Sequence, residues 1–87
     1  MTTAPKDIPT PGDYVNYVLP SSSRYPNEVR GAFVAKPMSA DGECLNLQVL
    51  VDGTNDGAQY PLNGTAWITS VHYDPTKQPG TWHSTDD

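Results

Sequence analysis

The sequence predicts an all-β fold, a small antiparallel barrel or sandwich of four to five short strands with no substantial helix. Nine prolines and seven glycines interrupt the chain too often for long helices. No stretch keeps an apolar period of about 3.6 residues over about 11 positions. Four stretches instead alternate apolar with polar residues, and turn-forming residues separate them. A chain of 87 residues is long enough for a single domain with a thin core.

The first predicted strand is GDYVNYVL (12–19), which is rich in aromatic and β-branched residues. A polar loop of turn formers, PSSSRYPN (20–27), follows it. Because successive side chains of a strand point to opposite faces, the strand has two sets of residues: Tyr14, Asn16 and Val18 on one face, and Val15, Tyr17 and Leu19 on the other.

The next two predicted strands are joined by a turn at Asp41-Gly42. EVRGAFVAK (28–36) comes first, and we expect Phe33 to be its main core residue. CLNLQVLV (44–51) is the clearest strand in the sequence. One face of it is uniformly apolar and is predicted to be core: Leu45, Leu47, Val49 and Val51.

The second half of the chain begins with DGTNDGAQYPLNGT (52–65), predicted to be a loop with a short edge segment because it contains three turn-forming dipeptides. TAWITSVHYD (65–74) is the fourth predicted strand. Trp67 or Val71 must point inward from it. The opposite face then holds Ile68, Ser70 and His72.

The predicted domain organisation is simple. Residues 1–10 are expected to be a flexible arm, since they are polar, carry prolines and offer only Ile8 for burial. Residues 11–87 are expected to form one β-barrel domain that ends in a tail at 75–87. The first residues show neither the basic nor the apolar region of a signal peptide, and no apolar run approaches the ~20 residues of a membrane span. A cytoplasmic location is therefore predicted.

The order of these strands resembles that of SH3-like barrels: a first strand, an irregular loop, a hairpin of two longer strands and a return strand. PGDYVNYVL, RGAFVAK, LNLQVLVDG and TAWITSVHYDP carry the resemblance, which covers about residues 11–74. The ALYDY-type opening of peptide-binding SH3 domains is missing, so the resemblance implies the fold and not the recognition of proline-rich peptides.

The C-terminal stretch SVHYDPTKQPGTWH resembles the tails of small uncharacterised proteins encoded by phages and prophages, often of actinobacteria. The Trp-Pro that usually follows the histidine in those tails is replaced here by Ser84-Thr85. The resemblance implies a viral protein that acts in the host cytoplasm or in the virion, and it implies no particular activity. The matching residues are Val71, Tyr73, Pro79, Gly80, Thr81, Trp82 and His83.

The net charge and the missing catalytic and metal-binding motifs argue against several classes of function. Ten acidic residues against five basic ones give a net charge of −5, which opposes nucleic acids and anionic membranes as partners. The single cysteine, Cys44, fits a reducing compartment and has no catalytic partner in the sequence. Neither a serine-nucleophile elbow nor a phosphate-binding glycine loop is present. Zinc-ligand spacing is absent, and DGTNDG departs from a calcium loop at Thr54 and Asn63. We expect no catalytic residue, no metal and no cofactor.

The aromatic residues indicate where a binding site is expected. The sequence has eight of them, and a core this small cannot bury all eight. Part of the aromatic surface must stay outside, where contiguous apolar surface usually marks an interaction site. Arginines and aromatics typically anchor such sites. The predicted site combines the loop near residue 25 with the C-terminal tail: Arg24, Tyr25, Arg30, Tyr73, Trp82 and His83.

Trp82 leaves two interpretations open. It could fold back as a lid over an open end of the barrel, or it could join His83 and Tyr73 in a contact with a ligand or a subunit. Both hold if the tail caps a neighbouring subunit.

The sequence thus predicts non-catalytic binding. One hypothesis is an interaction module that binds a protein partner, as a virion assembly component or as an inhibitor of a host defence protein. The alternative is a homo-oligomer that sequesters a small anionic, nucleotide-like ligand between its subunits. In that alternative Arg24 and Arg30 supply charge, and Tyr25 or Trp82 supplies a stacking plane.

Overall fold

The computed structural model of the protein describes residues 8–85, which form five β-strands and no helix. No helix long and apolar enough to cross a membrane occurs in that range. Residues 1–7 of the predicted N-terminal arm lie outside the described residues. The strands are β1 (Tyr14–Val18), β2 (Val29–Pro37), β3 (Cys44–Leu50), β4 (Thr65–His72) and β5 (Trp82–His83).

All five strands belong to one sheet in the order β4-β3-β2-β1-β5, and all neighbouring strands are antiparallel. The sheet curls into a half-barrel. Just after β4, Tyr73 pairs in parallel with Trp82 of β5, so the two edges of the sheet meet at that end. The prediction of an all-β, SH3-like small barrel is confirmed.

The turns that reverse the chain depend on residues suited to left-handed backbone. Gly42 has φ +74° and turns β2 into β3, at the Asp41-Gly42 pair that the sequence indicates. Gly80 has φ +79° and returns the chain to β5. Before that turn, Asp74 Oδ1 accepts hydrogen bonds from the N–H and the hydroxyl of Thr76.

The inner face of the half-barrel is the core, and β3 supplies the largest part of it. The four residues predicted on this strand and just after it are all buried, and three of them are inaccessible to solvent. Residues that pair across neighbouring strands share a face of the sheet, so the residues paired with these four also face the core. The rest of the apolar core consists of Val15, Tyr17, Leu19, Ala32, Val34, Tyr60, Ala66, Val71, Tyr73 and Trp82.

The prediction that Phe33 is a core residue is wrong. Its side chain is 45% exposed, whereas its neighbours Ala32 and Val34 are buried. Ala32 pairs with Val49 of β3, which faces the core, so Phe33, one residue further along β2, must face outward. Aromatic character alone does not decide the face of a strand.

A bulge changes the face of β4 in the middle of the strand. The pairing with β3 shifts between Leu45 and Leu47, and Ser70 adopts φ +55°. The Ser70 N–H donates to Asn46 Oδ1 at 2.9 Å, which holds the irregular backbone in place. Ile68 therefore packs against the core before the bulge and Val71 after it. The expectation that Ile68 lies opposite the core with Ser70 and His72 is wrong.

This assignment of faces predicts very different effects for two apolar side chains on adjacent strands. Leu47→Ala should lower the free energy of unfolding by about 2–5 kcal/mol, because it leaves a cavity in the core. Phe33→Ala should change it by no more than about 1 kcal/mol. Urea denaturation followed by circular dichroism measures both. A Phe33→Ala variant that is as unstable as Leu47→Ala would contradict the outward placement of Phe33.

Candidate functional site

The C-terminal part of the predicted site lies in the core. Trp82 is only 1% exposed, and its indole N–H donates to the carbonyl of Glu43 at 2.8 Å. Its ring centroid lies 4.8 Å from that of Tyr73. Tyr73 and His83 are also buried. Trp82 thus closes the barrel at the start of β3, as the lid interpretation expects. A binding role for these three residues stays a prediction, and it requires the tail to leave the barrel.

Arg30 is engaged within the protein. Its Nε and Nη2 atoms donate to the two carboxylate oxygens of Asp56, at 2.9 and 2.6 Å. Nη1 contacts the exposed carboxylate of Glu28 at 3.1 Å. Asp56 is completely buried, and its Oδ2 also accepts the Asp52 N–H at 2.7 Å. This bidentate pair fixes the relative position of the two side chains as well as balancing their charges. Arg30 therefore anchors the segment 51–64 to β2.

The electrostatics of this pair follow from its contacts. Hydrogen bonding to Arg30 holds the pKa of Asp56 below its usual value, against burial, which raises it. The same hydrogen bonds raise the pKa of the Arg30 guanidinium further. Both groups are therefore charged across the physiological range, and each neutralises the other. The pair stabilises the fold, and Arg30 is not an open cation.

Arg24 and Tyr25 remain on the surface, in the loop between β1 and β2. The Arg24 backbone N–H donates to the Asp56 carbonyl at 2.8 Å, which ties this loop to the segment that Arg30 holds. The structure thus brings Arg24 and Arg30 to the same aspartate, one through its backbone and the other through its side chain. Glu43 precedes β3 and Asp56 follows it, so the Trp82 and Arg30 contacts lie at opposite ends of that strand.

A surface that the sequence analysis did not identify lies on the outer face of the sheet. We call it the outer aromatic row, and it consists of Tyr14, Phe33 and Trp67. Tyr14 pairs with Phe33 across β1 and β2, and Gln48 of β3 joins Phe33 to Trp67 of β4. The row therefore runs straight across four strands. Its three side chains are 48%, 45% and 53% exposed.

The outer aromatic row has a defined local geometry. The Tyr14 and Phe33 rings meet edge to face, with centroids 5.4 Å apart and planes at 76°. Gly31 makes room for this arrangement, since a Cβ atom there would clash with the Tyr14 hydroxyl. Val29 and Leu50 are further exposed apolar side chains of β2 and β3, and neither they nor Gln48 carries a charge. One signal in the sequence could have located the centre of the row: if Leu47 and Val49 are core, then Gln48 faces outward, and its partners Phe33 and Trp67 follow once the pairing is known.

A cleft of about 460 Å³ lies beside the first half of β4, where the two edges of the sheet do not meet. The loop after β1 and the connection between β3 and β4 form its other walls. Gln59 Nε2 donates to the Ser22 carbonyl at 3.2 Å and so links these two walls. None of the residues around the cleft is charged: Tyr17, Pro20, Ser22, Gln59, Tyr60, Pro61, Ala66, Trp67 and Ile68.

The structure also bears on the candidate calcium loop, metal ligands and cysteine of the sequence analysis. Asp52, in DGTNDG, accepts hydrogen bonds from the N–H groups of Thr54 and Asn55, in a local turn. No group of three or more metal-ligating side chains occurs in residues 8–85. Cys44 faces His72 across β3 and β4, and His72 Nδ1 lies 3.5 Å from Glu43 Oε1.

The two tryptophans should respond oppositely to truncation. Trp82→Ala should cost about 3–5 kcal/mol of unfolding free energy, because it empties the closed end of the barrel. Trp67→Ala should cost no more than about 1 kcal/mol. Thermal and urea denaturation measure both, and Trp82→Phe serves as a milder variant if Trp82→Ala does not fold. Equal losses in the two alanine variants would refute the lid assignment.

The Arg30–Asp56 pair should make the fold sensitive to acid. Because the pKa of folded Asp56 is lowered, its stabilisation is complete above the unfolded value of about 4 and is lost as the pH falls through the folded value. Asp56→Asn should cost about 2–4 kcal/mol at neutral pH and flatten this pH dependence. Glu28→Gln, which removes the exposed carboxylate from the same guanidinium, should cost less than about 1 kcal/mol. Urea denaturation between pH 2 and 7 tests this, and an unchanged pH profile in Asp56→Asn would contradict the role of the pair.

Comparison with known proteins identifies no relative of this chain. No family model matches the chain, and no curated protein or solved structure is detectably similar to it. The basis for a function is therefore the geometry of the chain itself.

Proposed function

We propose that this protein is a non-catalytic interaction module that binds a protein partner through the outer aromatic row. The observation that carries the proposal is the exposure of three aromatic rings in one line across the middle of a well-packed sheet. The cores of protein interfaces are rich in aromatic residues and poor in charged ones. Rings fixed on strands lose little conformational entropy when a partner covers them.

Charge supports a protein partner over a nucleic acid or a membrane. The chain carries a net charge of −5, while the row and its apolar neighbours Val29 and Leu50 carry none. A polyanion would be repelled at long range, and neither the row nor these apolar neighbours offers it a cation. A protein with a complementary apolar patch, or a second copy of this chain, meets neither obstacle.

The area of the outer aromatic row indicates how much further surface the contact must include. Each aromatic side chain presents about 150–250 Å² when fully exposed, so the half-exposed row and its apolar neighbours offer on the order of 400–500 Å². Standard interfaces bury about 800 Å² per partner. The row would therefore be the centre of the contact, with polar residues such as Gln48 at its margin.

The context of this binding rests on sequence resemblance alone. The C-terminal stretch ending in Thr81-Trp82-His83 resembles phage and prophage proteins. The proposed partner is accordingly a component of a virion or a host defence protein that this chain inhibits.

A second function is favoured by one specific observation. Arg24 and Tyr25 are adjacent and exposed in one loop, which offers a charge and a stacking plane to an anionic, nucleotide-like ligand. Such a site would need a second subunit to supply further contacts, since Arg30 is held by Asp56. This is the homo-oligomeric alternative.

The proposed function is tested by affinity capture from the organism that encodes the protein. Wild type should retain a partner that Phe33→Ser loses by at least ~10-fold, since an aromatic residue at the centre of an interface contributes about 2 kcal/mol or more. Leu62→Ser is the matched control, because Leu62 is 82% exposed but lies in the β3–β4 connection, outside the strands that carry the row.

Sedimentation equilibrium of the same variants tests whether the partner is a second copy of this chain. A complex or dimer that forms equally well with Phe33→Ser refutes the proposal. So does a wild type that binds nothing in either experiment.

A further inference from the structure

We infer that the cleft beside β4 binds a neutral, flat ring compound that carries a hydrogen-bond acceptor, and that the Tyr17 hydroxyl donates to this acceptor. The site lies within one chain. It shares only Trp67 with the outer aromatic row, so the inference goes beyond the proposed function and does not depend on it.

The cleft has the size and position of a ligand site. Its volume of about 460 Å³ falls inside the range of about 300–1,000 Å³ that is typical of small-molecule pockets. It lies where the half-barrel is open, between Ala66 of β4 and Pro20 after β1. The hydrogen bond from Gln59 to Ser22 holds the two loops beside it together. The cleft is therefore framed by fixed backbone on several sides.

Tyr17 supplies the polar anchor. Its side chain is only 3% exposed, and its hydroxyl makes no hydrogen bond with any of the residues 8–85. The hydroxyl is not among the fully enclosed polar atoms of these residues, so it reaches the solvent of the cleft, where a ligand acceptor can take the place of water. Burial, and secondarily the neighbouring Tyr60, raise the pKa of Tyr17 to about 12, so the group is a hydrogen-bond donor at physiological pH.

The walls of the cleft favour a flat apolar body. Tyr60 and Trp67 present aromatic surface, and Pro20, Pro61 and Ile68 add rigid or branched apolar contacts. Aromatic and proline side chains pack well against planar rings and lose little entropy in doing so.

The electrostatics of the cleft favour a neutral ligand over an anion. No charged residue lines it. Burial is the main cause that raises the pKa of Tyr60, while the charges of Asp56 and Arg30 act on it in opposite directions, so that pair supplies no dominant charge to the cleft. An anion placed beside Tyr60 would lose hydration, and no cation in the lining would replace it.

Three one-ring probes separate these requirements: acetophenone, toluene and benzoate. Acetophenone has a ring and a neutral acceptor, toluene lacks the acceptor, and benzoate carries a charge. Each probe is titrated into the full chain while the indole N–H resonance of Trp67 is followed by NMR. Acetophenone should saturate the signal with a Kd on the order of 1–10 mM and bind about 5-fold more tightly than toluene, since a neutral hydrogen bond contributes about that factor. Benzoate should bind more weakly than acetophenone.

The matched variants are Tyr17→Phe and Tyr14→Phe, two hydroxyl deletions on the same strand. Tyr17→Phe should abolish the preference for acetophenone over toluene and leave toluene binding unchanged, whereas Tyr14→Phe should keep the preference. Tyr17→Phe removes a hydroxyl without a partner, so its melting temperature should equal that of wild type or exceed it.

The inference is overturned if no probe saturates the Trp67 signal, if benzoate binds as tightly as acetophenone, or if Tyr17→Phe retains the preference or does not fold. None of these results bears on partner capture by Phe33, which does not line the cleft.

Discussion

The alternation of side chains across a single curled sheet is the constraint on which this structure depends. A chain of this size has one inner face to fill, and β3 fills its centre with Leu45, Leu47 and Val49. Each pairing then forces the neighbouring strands to place their own residues inside or outside according to register. The narrow interior takes Ala32 and Val34 from β2. The larger ring of Phe33 on the same strand is displaced to the outer face, so the small core leaves apolar surface exposed there.

Strand pairing alone does not close the two ends of the sheet, and a different contact closes each end. At one end an indole N–H finds a backbone carbonyl, and an aromatic ring fills the space between Tyr73 and the core. At the other end a buried carboxylate meets a guanidinium and orders the long connection between β3 and β4. The first contact is mainly apolar packing, and the second is electrostatic. Arg30, a candidate anion-binding group in the sequence, is thus engaged by Asp56 within the fold.

The strands, their order and the core face of β3 could be predicted from local patterns, because alternation and turn residues are written into short stretches of sequence. The face of Phe33 could not be, since it depends on pairing with Gln48, fifteen positions along the chain. The bulge at Ser70 depends on Asn46, a partner 24 residues away. In the candidate site, the sequence predicted that part of the aromatic surface is exposed, and Tyr25 is exposed, whereas Trp82 and Tyr73 are buried. Which aromatics are exposed follows from tertiary pairing, and composition gives only their number.

The closure of the barrel by Trp82 has a consequence for the order of folding. The contact from Trp82 to Glu43 spans 39 residues, and β5 contributes only two residues to the sheet. Closing so long a loop costs entropy before the contact returns any stability. We therefore expect the hairpins of β1 to β4 to form first and the last strand to dock onto a sheet that already exists. In the reverse direction, detaching β5 breaks a pairing of only two residues but exposes the buried Trp82, so this one side chain sets the free energy of opening at that end of the barrel.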